Sequence, residues 1–313
     1  MERLTSDNPL PDRLRGGVVA LGNFDGFHRG HQAVIARARA RAGAKGRPLI
    51  VATFDPHPVR FFQPEAEPFR LTTLDQRERL FRKAGADAML VFRFDTGLAA
   101  VTPQGFVDDY LVARAGAGAV VTGEDFTFGH ARSGNVTLLA ELGRRTGLVA
   151  ETVEPVCDAQ GPISSSRIRD ALRAGDCETA TMLLTRPFAI EGIVQHGNKL
   201  GRTIGFPTAN LTLDRYLRPR YGVYAVRGRL PGGRVIDGVA NLGVRPMIEP
   251  AVELLEPHFM DFTGDLYDQN IEVELIRYMR PEVKLSGLDE LMTWITRDCA
   301  EARAILAATP HVA

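Results

Sequence analysis

Between residues 17 and 161 the apolar side chains fall in short unbroken runs, 18–21, 49–54, 88–92, 119–122 and 148–153, each too brief for a buried helix. A strand with one wet face would alternate apolar and polar residues, so these runs read as strands covered on both faces. Amphipathic segments at 32–42, 75–84, 103–115 and 136–145 separate several of them. Strands alternating with helices predict a doubly wound parallel α/β sheet of the Rossmann-like kind, with ligands received at the carboxyl ends of the strands.

After Arg186-Pro187 the period changes. Segments 188–194, 222–229, 235–240, 258–262 and 271–279 read as strands, several of them alternating, with turn signals such as Pro231-Gly232-Gly233 between them. That pattern predicts a small antiparallel β-barrel or sandwich. A closing helix carries Leu288, Leu291, Met292, Ile295, Cys299, Ala302 and Leu306 on one stripe, with Trp294 at its edge. Helices are expected over 166–174 and 177–184, which puts the domain boundary between residues 184 and 185.

The 313 residues suffice for two cores. Lys plus Arg equals Asp plus Glu at 38 each, so no basic field points to nucleic acid or an anionic membrane. Cys157, Cys177 and Cys299 are too few and scattered for a disulfide framework or a four-cysteine zinc site, which suits a reducing cytoplasm. No long apolar segment follows Met1, so neither a signal peptide nor a membrane span is expected. Self-association of the chain is left open.

The chemistry concentrates in Gly22-Asn23-Phe24-Asp25-Gly26-Phe27-His28-Arg29-Gly30-His31, which lies between the first run and a helix start. A helix N-terminus attracts anions, glycines admit a phosphate to the backbone, and two histidines there can donate to phosphoryl oxygens as charge develops. Phosphoryl or nucleotidyl chemistry is the expectation. A metal site, for which no Cys or His partner lies nearby at a ligand-like spacing, and a structural role for the histidines stay open as alternatives. The Gly-Lys-Ser/Thr ending of a Walker A loop is missing.

Other blocks fall at strand ends or helix starts. Thr53-Phe54-Asp55-Pro56-His57-Pro58 ends the second run and offers His57 to a phosphate or second substrate. Gly123-Glu124-Asp125-Phe126-Thr127-Phe128-Gly129 follows the fourth, with aromatic rings to pack a flat ligand and Asp125 to hold Mg²⁺ or a ribose. Ile163-Ser164-Ser165-Ser166-Arg167-Ile168-Arg169 places hydroxyls and two arginines at a helix start, an anion cradle. In the second half, Gly201-Arg202-Thr203-Ile204-Gly205-Phe206-Pro207-Thr208-Ala209-Asn210 brings the oxygens of Thr208 and Asn210 within reach of a Mg²⁺ that carries ATP phosphates.

His28-Arg29-Gly30-His31 resembles the His-x-Gly-His signature of nucleotidyltransferases, and its Gly-Asn-Phe-Asp-Gly preface resembles the bacterial bifunctional riboflavin kinase/FAD synthetase family. The segment 164–169 is similar to a Ser-Ser-Thr-x-x-Arg motif with Ser166 in place of threonine, and 207–210 resembles the Pro-Thr-Ala-Asn motif of riboflavin kinases. The likeness runs from about Gly17 to Arg303. It implies riboflavin phosphorylation to FMN, then adenylyl transfer from ATP giving FAD and pyrophosphate, with Mg²⁺.

By that resemblance His28 and His31 are catalytic, and Asn23, Asp25, Ser164, Arg167, Arg169, Gly201, Thr208 and Asn210 bind ATP. The resemblance also implies that His57, Asp125, Phe126 and Phe128 meet the flavin, that Thr208, Asn210 and Asp125 serve the metal, and that Glu256 is the base of the kinase. Glu253 is the rival carboxylate. Met247 stands where relatives commonly carry threonine, and Pro257, beside Glu256, is expected to mark a strand edge or bulge. A monofunctional adenylyltransferase and a flavin sensor without turnover are the alternatives.

Overall fold

The computed structural model describes residues 1–196, 205–245, 252–283 and 287–311. The chain divides into two compact units, one of Met1–Glu67 with Thr72–Ser164, the other of Pro68–Leu71 with Ser165–Ala313.

The first unit runs β1 (Glu2–Thr5), β2 (Val18–Leu21), α1 (Arg29–Lys45), β3 (Leu49–Asp55), α2 (Pro58–Phe62), α3 (Leu74–Lys83), β4 (Ala88–Arg93), α4 (Thr96–Ala99), α5 (Pro103–Gly105), β5 (Ala119–Gly123), α6 (Val136–Thr146) and β6 (Val149–Val153), then the small hairpin β7 (Cys157–Asp158) and β8 (Gly161–Pro162). Six parallel strands stand in the order β1-β4-β3-β2-β5-β6.

Four of the five runs have the cause their sequence predicts, whereas the run expected at 148–153 forms the edge strand β6, where Val149 is exposed and no residue of the strand is fully buried. Val19, Leu21, Ile50, Ala52, Leu90 and Val120 enter the core on one face, while Val18, Ala20, Leu49, Val51, Met89 and Val121 enter the core on the other. Alternate residues of a strand point to opposite faces, so a strand buried on both must be apolar throughout. Val34, Ile35 and Ala38 of α1 with Phe81 of α3 cover one face, and Phe106, Leu111, Leu139 and Leu142 cover the other.

From β2 the chain winds outward through β3 and β4, then returns to β5 on the opposite side. The switch point lies beside the carboxyl end of β2, where the loop 22–28 begins. The short helices α2 and α4 and the hairpin of β7 and β8 escape the sequence pattern, and so do two further features. β1 adds an edge strand too short and polar to signal itself. The expected helix over 103–115 widens from Phe106 to Arg114 into π-type spacing, with Ala115 N–H donating to the Tyr110 carbonyl.

The second unit runs α7 (Ser165–Ala174), α8 (Cys177–Leu184), β9 (Phe188–Ile193), β10 (Leu211–Thr212), β11 (Gly222–Arg229), β12 (Val235–Arg245), β13 (Val252–Phe259), β14 (Asn270–Arg280) and α9 (Leu288–Ala308). The antiparallel order is β10-β13-β12-β11-β14-β9, and a bridge between Gln195 and Asn210 joins its two ends into a nearly closed barrel.

The strand expected at 258–262 instead spans Val252–Phe259, because Glu253, Glu256 and Pro257 interrupt the apolar signal of a segment that tertiary pairing makes extended. Pro257 makes no bulge against β12, where it pairs with Ala240 in unbroken register. Its carbonyl accepts from Ala209, so its missing N–H falls on the side where β10 ends, a place that tolerates proline.

The stripe expected on α9 is buried only in its C-terminal half. Ala302 and Leu306 pack on Val223, Ala225 and Val239, while Leu288 and Met292 are exposed. Buried Arg227 donates to the carbonyls of Leu306, Thr309 and Pro310, and Arg280 grips Asp298 with two bonds of 2.8 and 2.6 Å, so ionic groups finish the docking of this helix.

Candidate active sites

In the first unit the site grows from the end of β2. His28 caps α1, its Nδ1 accepting the N–H groups of Gly30 and His31 at 3.1 and 3.4 Å. An accepting Nδ1 places the proton of a neutral imidazole on Nε2, which becomes the ring's donor. The His31 ring stacks on it, with centroids 3.6 Å apart, and meets Phe24 edge-on at 5.3 Å. A Cβ at Gly30 would lie 3.1 Å from the His28 ring, closer than an ordinary contact, so glycine here leaves room for that ring to fold back over the first turn of α1. The pair thus sits at a helix N-terminus on the switch point, where anions bind.

The carboxylate of Asp25, expected at the nucleotide, is turned away. It is buried and accepts the Thr72 N–H at 3.0 Å and the Thr72 hydroxyl at 3.3 Å, while Gly26 N–H donates to that hydroxyl at 2.9 Å. It clamps the loop to the segment before α3. Asn23 is exposed on the loop, with its backbone carbonyl held from below by Thr53 and Arg77.

His57 caps α2 in the same manner as His28, its Nδ1 accepting from Val59 at 3.2 Å. Beside it stands an aromatic group that the sequence reading overlooked. Phe61, Phe62 and Phe94 pack edge to face, and Phe62 keeps 62% of its surface exposed. After β5, Asp125 is exposed and Phe126 half-buried. Phe128, expected at the flavin, is a core residue, 6% exposed and packed on Phe106, because its strand-like bridge to Gly134 turns the ring inward. Its other face supports Phe126 at 5.8 Å.

The hydroxyl and arginine segment divides between the units, Ser164 closing the first and Ser165 opening α7 in the second. Arg167 is half-buried. Arg169, expected on ATP, directs its Nε to the Phe69 carbonyl at 2.9 Å with its guanidinium over the Phe69 ring.

In the barrel, Leu211 pairs with Leu255 and Thr212 with Leu254. Continuing that register places Asn210 opposite Glu256 and Thr208 opposite His258, which Ala209 N–H to Pro257 O at 2.9 Å and His258 Nδ1 to Pro207 O at 2.9 Å support. On the other side Glu256 pairs with Asn241. Asn210, Glu256 and Asn241 therefore form one row across three strands, with Thr208 on the same face.

Glu253 has the opposite parity. It takes Arg218 Nε at 2.6 Å and the Tyr221 hydroxyl. Burial pushes its carboxyl up, but the Arg218 and Tyr221 bonds prevail and hold it below the ordinary range. Tyr221 is pushed up to about 12, by burial first and then by the Glu253 bond. Gly201 and Met247 lie outside the described residues.

Among the described residues no group of three or more His, Cys, Asp or Glu side chains could hold a metal ion. Hydroxyl and amide oxygens such as those of Thr208 and Asn210 fit the contrasting case, a hard cation that keeps most of its ligands from water and phosphates. No helix among the described residues is long and apolar enough to cross a membrane.

The FAD synthetase family model matches residues 10–167 and the riboflavin kinase family model residues 184–306. The bifunctional riboflavin kinase/FMN adenylyltransferase of Haemophilus influenzae is 40% identical over 292 residues, covering 93% of this chain and 94% of that one. The protein of the same description from Escherichia coli K12 is 40% identical over 94% of each chain. A crystal structure described as a macrolide-efflux protein from Streptococcus pneumoniae superposes with a TM-score of 0.84 at 30% identity, over 98% of this chain and 99% of that chain. With one family match on the unit of the histidine pair, another on the barrel, and curated relatives similar along nearly their whole length, the chain belongs to the bifunctional riboflavin kinase/FMN adenylyltransferases.

Proposed function

We propose that residues 185–313 phosphorylate riboflavin with ATP and that residues 1–184 transfer AMP from a second ATP to the resulting FMN, giving FAD and pyrophosphate. The observation that carries the reading is that each half gathers its own reactive groups: a histidine pair on a helix N-terminus in one, and a carboxylate in a row with two asparagines in the other.

In the kinase, Glu256 accepts the proton of the riboflavin 5′-hydroxyl as that oxygen attacks the γ-phosphate and ADP leaves. Thr208 and Asn210 are the residues that would hold Mg²⁺, which supplies charge neutralisation on the phosphates when bound. Glu253, committed to Arg218 and Tyr221, is a structural carboxylate.

In adenylyl transfer a phosphate oxygen of FMN forms a bond to the α-phosphorus while the bond to the bridging oxygen breaks and pyrophosphate departs. The nucleophile is already anionic, so no strong base is required. The protein must position the reactants and stabilise charge on the leaving group, through Nε2–H of His28, through His31 and through the amides of the α1 N-terminus. Asn23, Ser164 and Arg167 serve ATP. His57, Phe126 and the exposed Phe62 receive the flavin, an apolar ring suited to an aromatic face. Asp125 serves the flavin or a metal. The compartment is the cytoplasm.

Incubation of the purified protein with riboflavin, ATP and MgCl₂, followed by separation of the flavins, tests the reading. Successive appearance of FMN and FAD supports it; FMN supplied and converted with riboflavin left unphosphorylated would reduce the chain to an adenylyltransferase.

A further inference from the structure

The loop carrying the histidines is strained. Phe24 and Phe27 both have φ of 49°, and Gly26 between them has φ of 85°. A bulky residue in the left-handed region is strained and persists only where its surroundings over-determine it. Two sets of contacts do so here. Above, the rings of Phe24 and Phe27 both meet Phe81 of α3 edge-on, at 5.7 and 5.6 Å. Below lies a polar cluster whose members are almost sealed from solvent: Asp25 at 3%, Thr53 at 0%, Thr72 at 1% and Arg77 at 2%.

Within that cluster Arg77 is the hub. Its Nη1 donates to the Thr53 hydroxyl at 2.8 Å and to the Asn23 carbonyl at 3.2 Å, and Thr53 in turn donates to the same carbonyl at 2.8 Å. Nε reaches the Thr73 carbonyl at 3.4 Å. One guanidinium thereby ties the end of β3, the start of α3 and the residue next to strained Phe24. Burying a cation is unfavourable unless its donors are met, and a fully met network in a low-dielectric interior is rigid. Apolar packing often replaces buried ionic groups without loss of stability, so what this network contributes is looked for in the geometry it fixes.

We propose that Arg77 is a positioning residue for adenylyl transfer. It holds the loop 22–28 in its strained course and so sets the His28 ring, and through the cap the His31 ring, at the place where the leaving pyrophosphate develops charge. The inference rests on the assignment of His28 and His31 to that reaction. Arg77 itself touches neither substrate.

The test compares Arg77→Met, Arg77→Lys, Thr53→Val and His28→Ala in the full-length protein, measuring kcat and KM for adenylylation of supplied FMN, with thermal unfolding followed by circular dichroism as the control for folding and riboflavin phosphorylation by the same preparation as the control for selectivity. Arg77→Met should lower adenylylation kcat by about 10²-fold, the scale for a displaced catalytic group, with KM for FMN within about threefold. The kinase should be unchanged and the histidine imidazole ¹H–¹⁵N signals shifted. Arg77→Lys, which keeps the charge and a donor on a long side chain, should recover part of the rate lost in Arg77→Met. Should Arg77→Met fail to fold, Thr53→Val removes the bridging hydroxyl at nearly constant shape and should lower kcat in the same manner.

Wild-type kcat in a folded Arg77→Met or Thr53→Val would overturn the proposal, as would equal damage by methionine and lysine or parallel loss of both activities. In those cases a crippled His28→Ala leaves the histidine assignment standing, whereas an active His28→Ala removes that assignment and the proposal with it.

Discussion

His28 and His31 stack with ring planes 23° from parallel because a cap residue folding back over the first helical turn meets the residue three positions on. His28→Ala removes a donor and a cap together, and the cap alone is worth about 1 kcal/mol of stability. Asparagine caps as well as any residue, so His28→Asn separates the two roles. Both variants, and His31→Ala, should form FAD at least about 10²-fold more slowly in a steady-state assay, with riboflavin phosphorylation intact. Activity in the asparagine variant near wild type would assign His28 to the helix rather than the chemistry.

Arg167→Ala should raise the KM for ATP in adenylylation while leaving FMN affinity within about twofold, as expected for lost uniform binding to one substrate. The matched change Arg169→Ala should act mainly on stability, since its guanidinium is engaged by Phe69. Titration of FMN binding by flavin fluorescence and ATP by initial rates distinguishes them.

Glu256→Gln should stop FMN production, a positioned general base contributing about 10² to 10⁴ in rate, and leave adenylylation of supplied FMN untouched. Glu253→Gln should keep the kinase. The reverse outcome would show that the reactive carboxylate has the other strand parity.

The Glu253 change should reveal itself in acid stability instead. Its folded carboxyl lies below the ordinary range, so its stabilisation is present above the unfolded carboxylate pKa and disappears as the pH falls through the folded value. Thermal unfolding should therefore separate wild type from Glu253→Gln at neutral pH, and the gap should close below about pH 4. A gap that widens in acid would contradict the ion pair with Arg218.

A fragment of residues 165–313 should fold and phosphorylate riboflavin better than one of residues 185–313. Cys177, Ala180, Leu183 and Leu184 of α8 are buried, α8 belongs to the compact barrel unit, and Glu178 holds Arg277 of β14 at 2.5 Å. Circular dichroism and a kinase assay on both fragments check this. Equal behaviour would make α7 and α8 dispensable to the barrel.

The sequence by itself determined the alternation of the buried strands β2 to β5 with the main helices, because strands buried on both faces must be apolar throughout and helices covering them must be amphipathic. It also located the histidine segment at a strand end, since glycines and a cap residue are local signals. Arg77 was legible only as an anomaly, a cation aligned with Leu74 and Phe81 on the apolar side of α3. Nothing local says that its partners are Asn23 and Thr53, residues 54 and 24 positions away.

Long-range pairing likewise decided which glutamate faces Thr208 and Asn210. Parity along β13 separates Glu253 from Glu256, but register with β10 and β12 is fixed by the barrel's closure and not by the strand's own residues. The same holds for Asp25 and Phe128. Each carries a side chain suited to a ligand, and each is turned inward because a distant segment, Thr72 for one and Phe106 for the other, supplies a partner that only folding brings near.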